Sequence, residues 1–115
     1  MNDLGYSVRH QGTAIVAHLL KRRMTSEGSQ SPLWTSLTEL VSPRRTALLV
    51  LDFSRVQFVA SQVLGGLVML ARRCQASGSR LHLCGLCPSI IEVLKLMKLD
   101  KALKIYPDVT EALAG

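Results

Sequence analysis

The side chains that could carry chemistry are few, and they fall at two places. Cys84-Gly85-Leu86-Cys87 is a CxxC pair between an apolar run and a proline, a spacing used by thiol–disulfide redox sites and by half of a zinc site. A redox pair of the thioredoxin kind has both cysteines at the start of the helix, whereas Cys84 alternates with Leu81 and Leu83 and reads as part of a strand. A zinc site would need two further ligands, and His82, on one side of that strand, is poorly suited to be one. His10 and His18 stand alone, and Asp52 follows an apolar run where turn formation is its expected work. No paired carboxylates, phosphate loop or nucleophile–base pair is discernible. The second place is Ser61, which follows a strand and a polar turn and opens a segment of helical period. A hydroxyl there either caps the helix, worth about 0.5–2 kcal/mol, or is offered for recognition where loops and helix N-termini expose backbone N–H groups.

The elements that must position these residues can be read from the pattern around them. Ala47 to Leu51 is a short unbroken apolar run, as expected of a strand buried on both faces. A polar turn, Ser54-Arg55-Val56-Gln57, separates Phe53 from Phe58. Beyond Ser61, the residues Leu64, Leu67, Val68, Ala71 and Cys74 recur three or four apart and predict a helix ended by Ala76-Ser77-Gly78-Ser79. If that stripe faces the sheet, Val63, Met69 and Leu70 lie nearer the outer face, beside Gly65 and Gly66. Two adjacent glycines in a helix cost about 1 kcal/mol each relative to alanine and so imply close packing. An apolar patch around bare helix backbone suits a partner surface, the alternative being a helix buried on more than one side.

Upstream, Tyr6 to His10 and Thr13 to Leu19 flank Gln11-Gly12, a hairpin signal, after a loose start at Met1 to Leu4. Lys21 to Gln30 is polar and reads as a loop. Ser31-Pro32 starts a helix whose apolar stripe is Leu33, Trp34, Leu37, Leu40 and Val41, ending before Pro43. Downstream, Arg80 to Leu86 is a strand, and Cys87-Pro88 opens a helix carrying Ile90, Ile91, Leu94 and Met97. Lys104 to Tyr106 is a short edge strand, and Val109 to Ala114 a last helical turn or two. Alternation of strand and helix predicts an α/β fold with a mixed, mostly parallel sheet of four to five strands packed by about four helices.

At 115 residues the chain is one domain, 1–115, with 48% hydrophobic residues and five aromatics, hence an aliphatic core. Its apolar runs are too short to span a bilayer, and residues 1–20 lack the pattern of a signal peptide. Together with three cysteines, few enough for a reducing compartment, this reads as cytoplasmic. The net charge of +6 is dispersed over Lys21, Arg22 and Arg23, Arg44 and Arg45, and Arg72 and Arg73, away from the aromatics. That arrangement suits solvated surface or an acidic partner rather than a nucleic acid.

From about Thr46 to Ala114 the chain resembles the STAS domain, the family of anti-sigma-factor antagonists. The family pattern is an apolar strand, Asp-Ser-Ser-Gly-Leu-Gly, an amphipathic helix, a strand, a Ser-Pro helix start and a Gly-Leu before the last strand. Here the same places read Ala60-Ser61-Gln62-Val63-Leu64-Gly65, then Leu81 to Cys84, then Cys87-Pro88, then Lys98-Leu99. The family aspartate is Ala60 and the family glycine is Val63, and the acid that ends an upstream family strand is absent from His18-Leu19-Leu20-Lys21. The resemblance implies a non-enzymatic interaction module without cofactor or metal, binding an anti-sigma factor that is a serine protein kinase and so releasing a sigma factor. It implies a partner-binding face formed by Ala60, Ser61, Gln62, Val63, Gly65, Gly66, Met69 and Leu70. Ser61 then takes the place of the phosphorylated serine. Two other readings stay open: a STAS scaffold or assembly subunit that is never phosphorylated, and a small thiol-redox protein using Cys84 and Cys87. The partner's identity and the oligomeric state are not legible.

Overall fold

The two arms around Gly12 fold back on each other because the glycine, at φ +62°, turns the chain: β1 (Tyr6–Gln11) and β2 (Ala14–Leu19) pair antiparallel, with Tyr6 opposite Leu19. The structure is a computed structural model and describes residues 5–28, 30–41 and 46–115. The expectations for Met1 to Leu4, for Pro43 and for Arg44 and Arg45 lie outside the described residues.

Three more strands extend the sheet in parallel: β4 (Leu48–Asp52), β6 (Arg80–Cys84) and β7 (Lys104–Tyr106), in the spatial order β1-β2-β4-β6-β7. The remaining two strands, β3 (Arg23–Met24) and β5 (Phe58–Val59), form a separate parallel pair of two residues each. Four helices complete the described chain: α1 (Pro32–Val41), α2 (Ser61–Ala76), α3 (Pro88–Leu96) and α4 (Val109–Ala114). The α/β class, the mostly parallel sheet and the four helices match the reading from sequence.

Helices α1, α2 and α3 supply Leu33, Trp34, Leu37, Val63, Leu67, Leu70, Ile90 and Leu94 to a core closed below by Leu49, Leu51 and Leu83. Burying a leucine of this kind stabilises by about 1.5–3 kcal/mol, so this layer dominates the fold's energy. The short α4 lies on the opposite face, where Ala112 packs with Val16, Leu48, Val50 and Cys84. That is why the central strand is apolar from Leu48 to Leu51 instead of alternating, and why Cys84 is as buried as Leu83.

Two expectations need correction. Lys21 to Gln30 is not only a polar loop, because it contains β3; Met24 there is buried in the main core and Glu27 is buried as well. A two-residue strand is too short to leave a periodic signal. The apolar stripe of α3 ends at Leu94, since Met97 is the C-cap and is exposed beside an exposed Leu96.

Candidate functional site at the start of helix α2

The chain leaves the sheet at Asp52 and is turned at once. Asp52 Oδ1 accepts the Ser54 N–H at 2.9 Å, and Phe53 N–H donates to the Cys84 carbonyl at 2.8 Å. Gly85 opposite must be a glycine: its φ is +70°, and a Cβ there would come within 2.9 Å of Asp52 Oδ1. The parallel β3–β5 pair then fixes the approach to α2. Gln57 N–H donates to the Arg22 carbonyl at 2.7 Å and Ala60 N–H to the Met24 carbonyl at 2.9 Å. Ala60, extended at φ −78° and ψ 158°, is the N-cap, and Ser61 is the first helical residue.

Ser61 is therefore not the capping residue that its position suggested. Alanine has no oxygen to offer, so the first turn of α2 has no side-chain cap, and it carries no acidic residue. Its leading N–H groups form the positive end of a 16-residue helix. The Ser61 side chain is exposed and makes no hydrogen bond among the described residues. Next to it, the Gln62 side-chain amide donates to the Thr25 carbonyl, which ties the loop after β3 against the first turn. On the other side Phe58 is 40% exposed, with the Arg23 guanidinium 4.4 Å above its ring centre. An unpartnered hydroxyl and a positive helix end thus stand together, with an aromatic face and a cation on the β3–β5 pair that leads to them. A helix end of this polarity favours an anionic group beside the open hydroxyl.

The outer face of α2 is narrower than the sequence pattern suggests. Val63, Gly66 and Leu70 are buried, because α1 packs across the helix on a second side. The contact is made by Trp34, whose indole lies so close that a Cβ on Gly66 would stand 2.0 Å from Nε1. The buried residues of α2 are Val63, Leu64, Gly66, Leu67, Leu70 and Cys74, whereas Val68 and Ala71 are only half-buried. What remains open is a strip formed by Ser61, Gln62, Gly65 and the half-buried Met69, with Ala60 half-buried at its head. Among the described residues, nothing beyond its own helix lies within 4 Å of where a Gly65 Cβ would be.

The cysteines of the CxxC differ in character. Cys84 is buried, and that burial, reinforced by Asp52 and Asp108, pushes its thiol up to about 12. Cys87 is the N-cap of α3 with its sulfur 3.3 Å from Ser89 Oγ. The Ser89 hydrogen bond outweighs burial and holds that thiol below its ordinary value. His82 is buried, bonded through Nδ1 to the Ala112 carbonyl at 2.8 Å, its ring tilted against that of Tyr106 at 4.8 Å. No group of three His, Cys, Asp or Glu converges among the described residues.

Sequence reasoning missed one polar pair. His18, next to last in β2, stands directly opposite Asp52, the last residue of β4, in the parallel register, and His18 Nδ1 lies 2.7 Å from Asp52 Oδ2. Burial works to raise the Asp52 carboxyl, but the hydrogen bonds from His18 and Ser54 outweigh it and hold the group below its ordinary value. Aligning the C-terminal ends of the two strands would have found the pair. It sits beside the turn that leads to α2 and stiffens it.

A family model for the STAS domain matches residues 8–112. Among solved structures, an anti-sigma-factor antagonist (STAS) domain protein from Planctomyces limnophilus is 20% identical with a TM-score of 0.82, covering 95% of this chain and 95% of that one. The phosphorylated form of the Bacillus cell fate determinant SpoIIAA is 14% identical with a TM-score of 0.69, covering 95% of this chain and 96% of the other. A chain of the stressosome, described as a signal integration and transduction hub, is 19% identical with a TM-score of 0.73, covering 94% and 93%. At these identities the likeness is one of fold.

Proposed function

The chain belongs to the STAS domain family, and on that premise we propose that it is a protein-interaction module of the anti-sigma-factor-antagonist type. It docks an anti-sigma serine kinase through the strip headed by Ala60, Ser61, Gln62 and Gly65, flanked by Phe58 and Met69. The observation that carries this reading is the exposed Ser61 hydroxyl, unbonded at the uncapped start of α2. A phosphate there would add roughly −1.5 to −2 charges. The helix dipole tolerates that dianion in the free protein, while a partner surface fitted to a neutral hydroxyl does not. Phosphorylation at Ser61 would therefore weaken docking without unfolding the domain.

A second reading within the fold is an unswitched scaffold, and specific observations favour it. Of the family's two adjacent serines only the first is kept, and Gln62, at the second, is engaged with the Thr25 carbonyl. Val63, at the family glycine, is fully buried. Incubation of the protein and of Ser61→Ala with the anti-sigma kinase and ATP, followed by mass-spectrometric mapping, separates the two. Phosphate on Ser61 that is missing from Ser61→Ala, with lower kinase affinity of the phosphorylated form, supports the switch. Tight binding with no phosphate on Ser61 leaves the scaffold.

A further inference from the structure

A groove of about 700 Å³ runs between the C-terminal half of α2 and the β6–β7 edge of the sheet, within the size range of small-molecule sites. It exists because β7 is short. Its three residues pair with His82, Leu83 and Cys84, so Arg80 and Leu81 at the start of β6 have no β7 neighbour. Val68 and Ala71 of α2 form one wall, and Leu81, Leu99 and Leu103 supply an apolar floor. The half-burial of Val68 and Ala71, unexpected for residues in an apolar stripe, comes from this opening.

The polar lining narrows the chemistry of what would fit. Ser79 donates its hydroxyl to the Thr46 carbonyl at 2.5 Å, and His82 is held by the Ala112 carbonyl. Arg80 Nη1 donates to the Gly115 carbonyl at 3.1 Å. A ligand read by many hydrogen bonds, such as a nucleotide, would find most of these groups engaged. The charged side chains of the lining are all cationic, namely Arg72, Arg80 and Lys104. Arg72 and Lys104 are exposed and make no ion pair among the described residues. An apolar trough with two unpaired cations at its rim calls for one anionic head and one apolar body.

The geometry points to a binding site for a single-chain amphiphilic carboxylate, its tail along Leu81, Leu99 and Leu103 and its head met by Arg72 and Lys104. None of Ser61, Gln62, Gly65 and Met69 lines the groove, which begins at Val68 beside the far end of the docking strip. The inference does not rest on the function proposed for that strip.

The test is titration of the full chain with dodecanoate below its micelle concentration, followed by calorimetry and by backbone amide shifts. Acetate serves as the head alone, and dodecyltrimethylammonium as the same tail with the opposite charge. Saturable one-to-one binding is expected for dodecanoate, with shifts centred on Val68, Ala71 and Leu103, and both controls should bind about tenfold or more weakly. Arg72→Glu with Lys104→Glu should weaken dodecanoate by a similar factor. Ala71→Phe, which fills the trough and leaves the charges, should weaken it too, so that the two variants fail for different reasons. Equal binding of the cationic amphiphile, retained affinity in both variants, or no saturation with dodecanoate would each overturn the assignment.

Discussion

Substituting Gly66 by alanine adds a single methyl group, and its effect can be worked from the packing of α1 on α2. The new Cβ would stand 2.0 Å from Trp34 Nε1, 2.4 Å from Cε2 and 2.5 Å from Cδ1. Carbon atoms in good contact lie about 3.5–4.0 Å apart. The indole has nowhere to retreat, since it is fully buried and its N–H donates to the Glu27 carbonyl at 2.9 Å. Glu27 is itself buried and held by Lys21 Nζ at 2.5 Å. Overpacking a core costs about 1–3 kcal/mol. Pulling the indole from its acceptor leaves buried polar groups unpaired, at about 1–3 kcal/mol more. Alanine's helix preference returns about 1 kcal/mol. The net is a destabilisation of about 3 kcal/mol, or on the order of 10–20 °C in Tm for a domain of this size. Gly65→Ala is the internal control: it meets nothing within 4 Å, so it should stabilise by about 1 kcal/mol. Urea denaturation of the three proteins gives the numbers directly. A Gly66→Ala midpoint at or above that of the native protein would refute the claim that Trp34 seats on bare helix backbone.

Leu67→Glu should unfold the domain by burying an unpaired charge, while Met69→Glu on the half-buried side should leave circular dichroism and Tm nearly unchanged and weaken association. Equal losses of stability in both would mean that α2 is enclosed all round. Native-state alkylation with iodoacetamide, mapped by mass spectrometry, should modify Cys87 first, because its thiol is lowered and partly exposed, and spare Cys74 and Cys84, which burial raises to about 11 and about 12. Asp52→Asn should lower stability at neutral pH. Because the Asp52 carboxyl is held below its ordinary value, its contribution is complete above an unfolded pKa of about 3.9 and is lost as pH falls through the folded value. Urea midpoints of the two proteins should therefore converge in acid; a gap that widens on acidification would reverse the assigned sign.

Much of this architecture was legible because it is written in period and punctuation. The hairpin at Gly12, the Ser31-Pro32 start of α1, the apolar strand β4 and the ending of α2 after Ala76 all lie where their patterns indicate. The family resemblance was carried by the same patterns together with the helix-start motif at Ala60 to Gly65, and it holds over most of the chain. What stayed hidden depended on tertiary neighbours. Val63 and Leu70 fall on an outer face only if a single sheet-facing stripe is assumed, and the Trp34–Gly66 contact explains why α2 has two buried sides. The sequence places a cap at Ser61 because capping residues are usually hydroxylic; the β3–β5 pair holds Ala60 extended and moves the helix start by one residue. The Cys87 thiol is lowered because Ser89 turns back to it from the first turn of α3, a contact that the CxxC spacing does not announce. The His18–Asp52 pair requires the register of two strands far apart in sequence, which no local window contains.

The central claim is that partners dock on the open strip of α2 beside Ser61, and Gly65 offers its most direct test. Space is free above it, so Gly65→Tyr adds bulk to the strip without touching the core. The measurement is the affinity of native protein and Gly65→Tyr for the anti-sigma serine kinases encoded in the source genome, with Tm recorded for both. Docking at the strip predicts an unchanged or higher Tm and an affinity about tenfold or more weaker for whichever kinase binds the native protein. Equal affinity of the two proteins, with the fold intact, would contradict the claim and move the partner surface elsewhere.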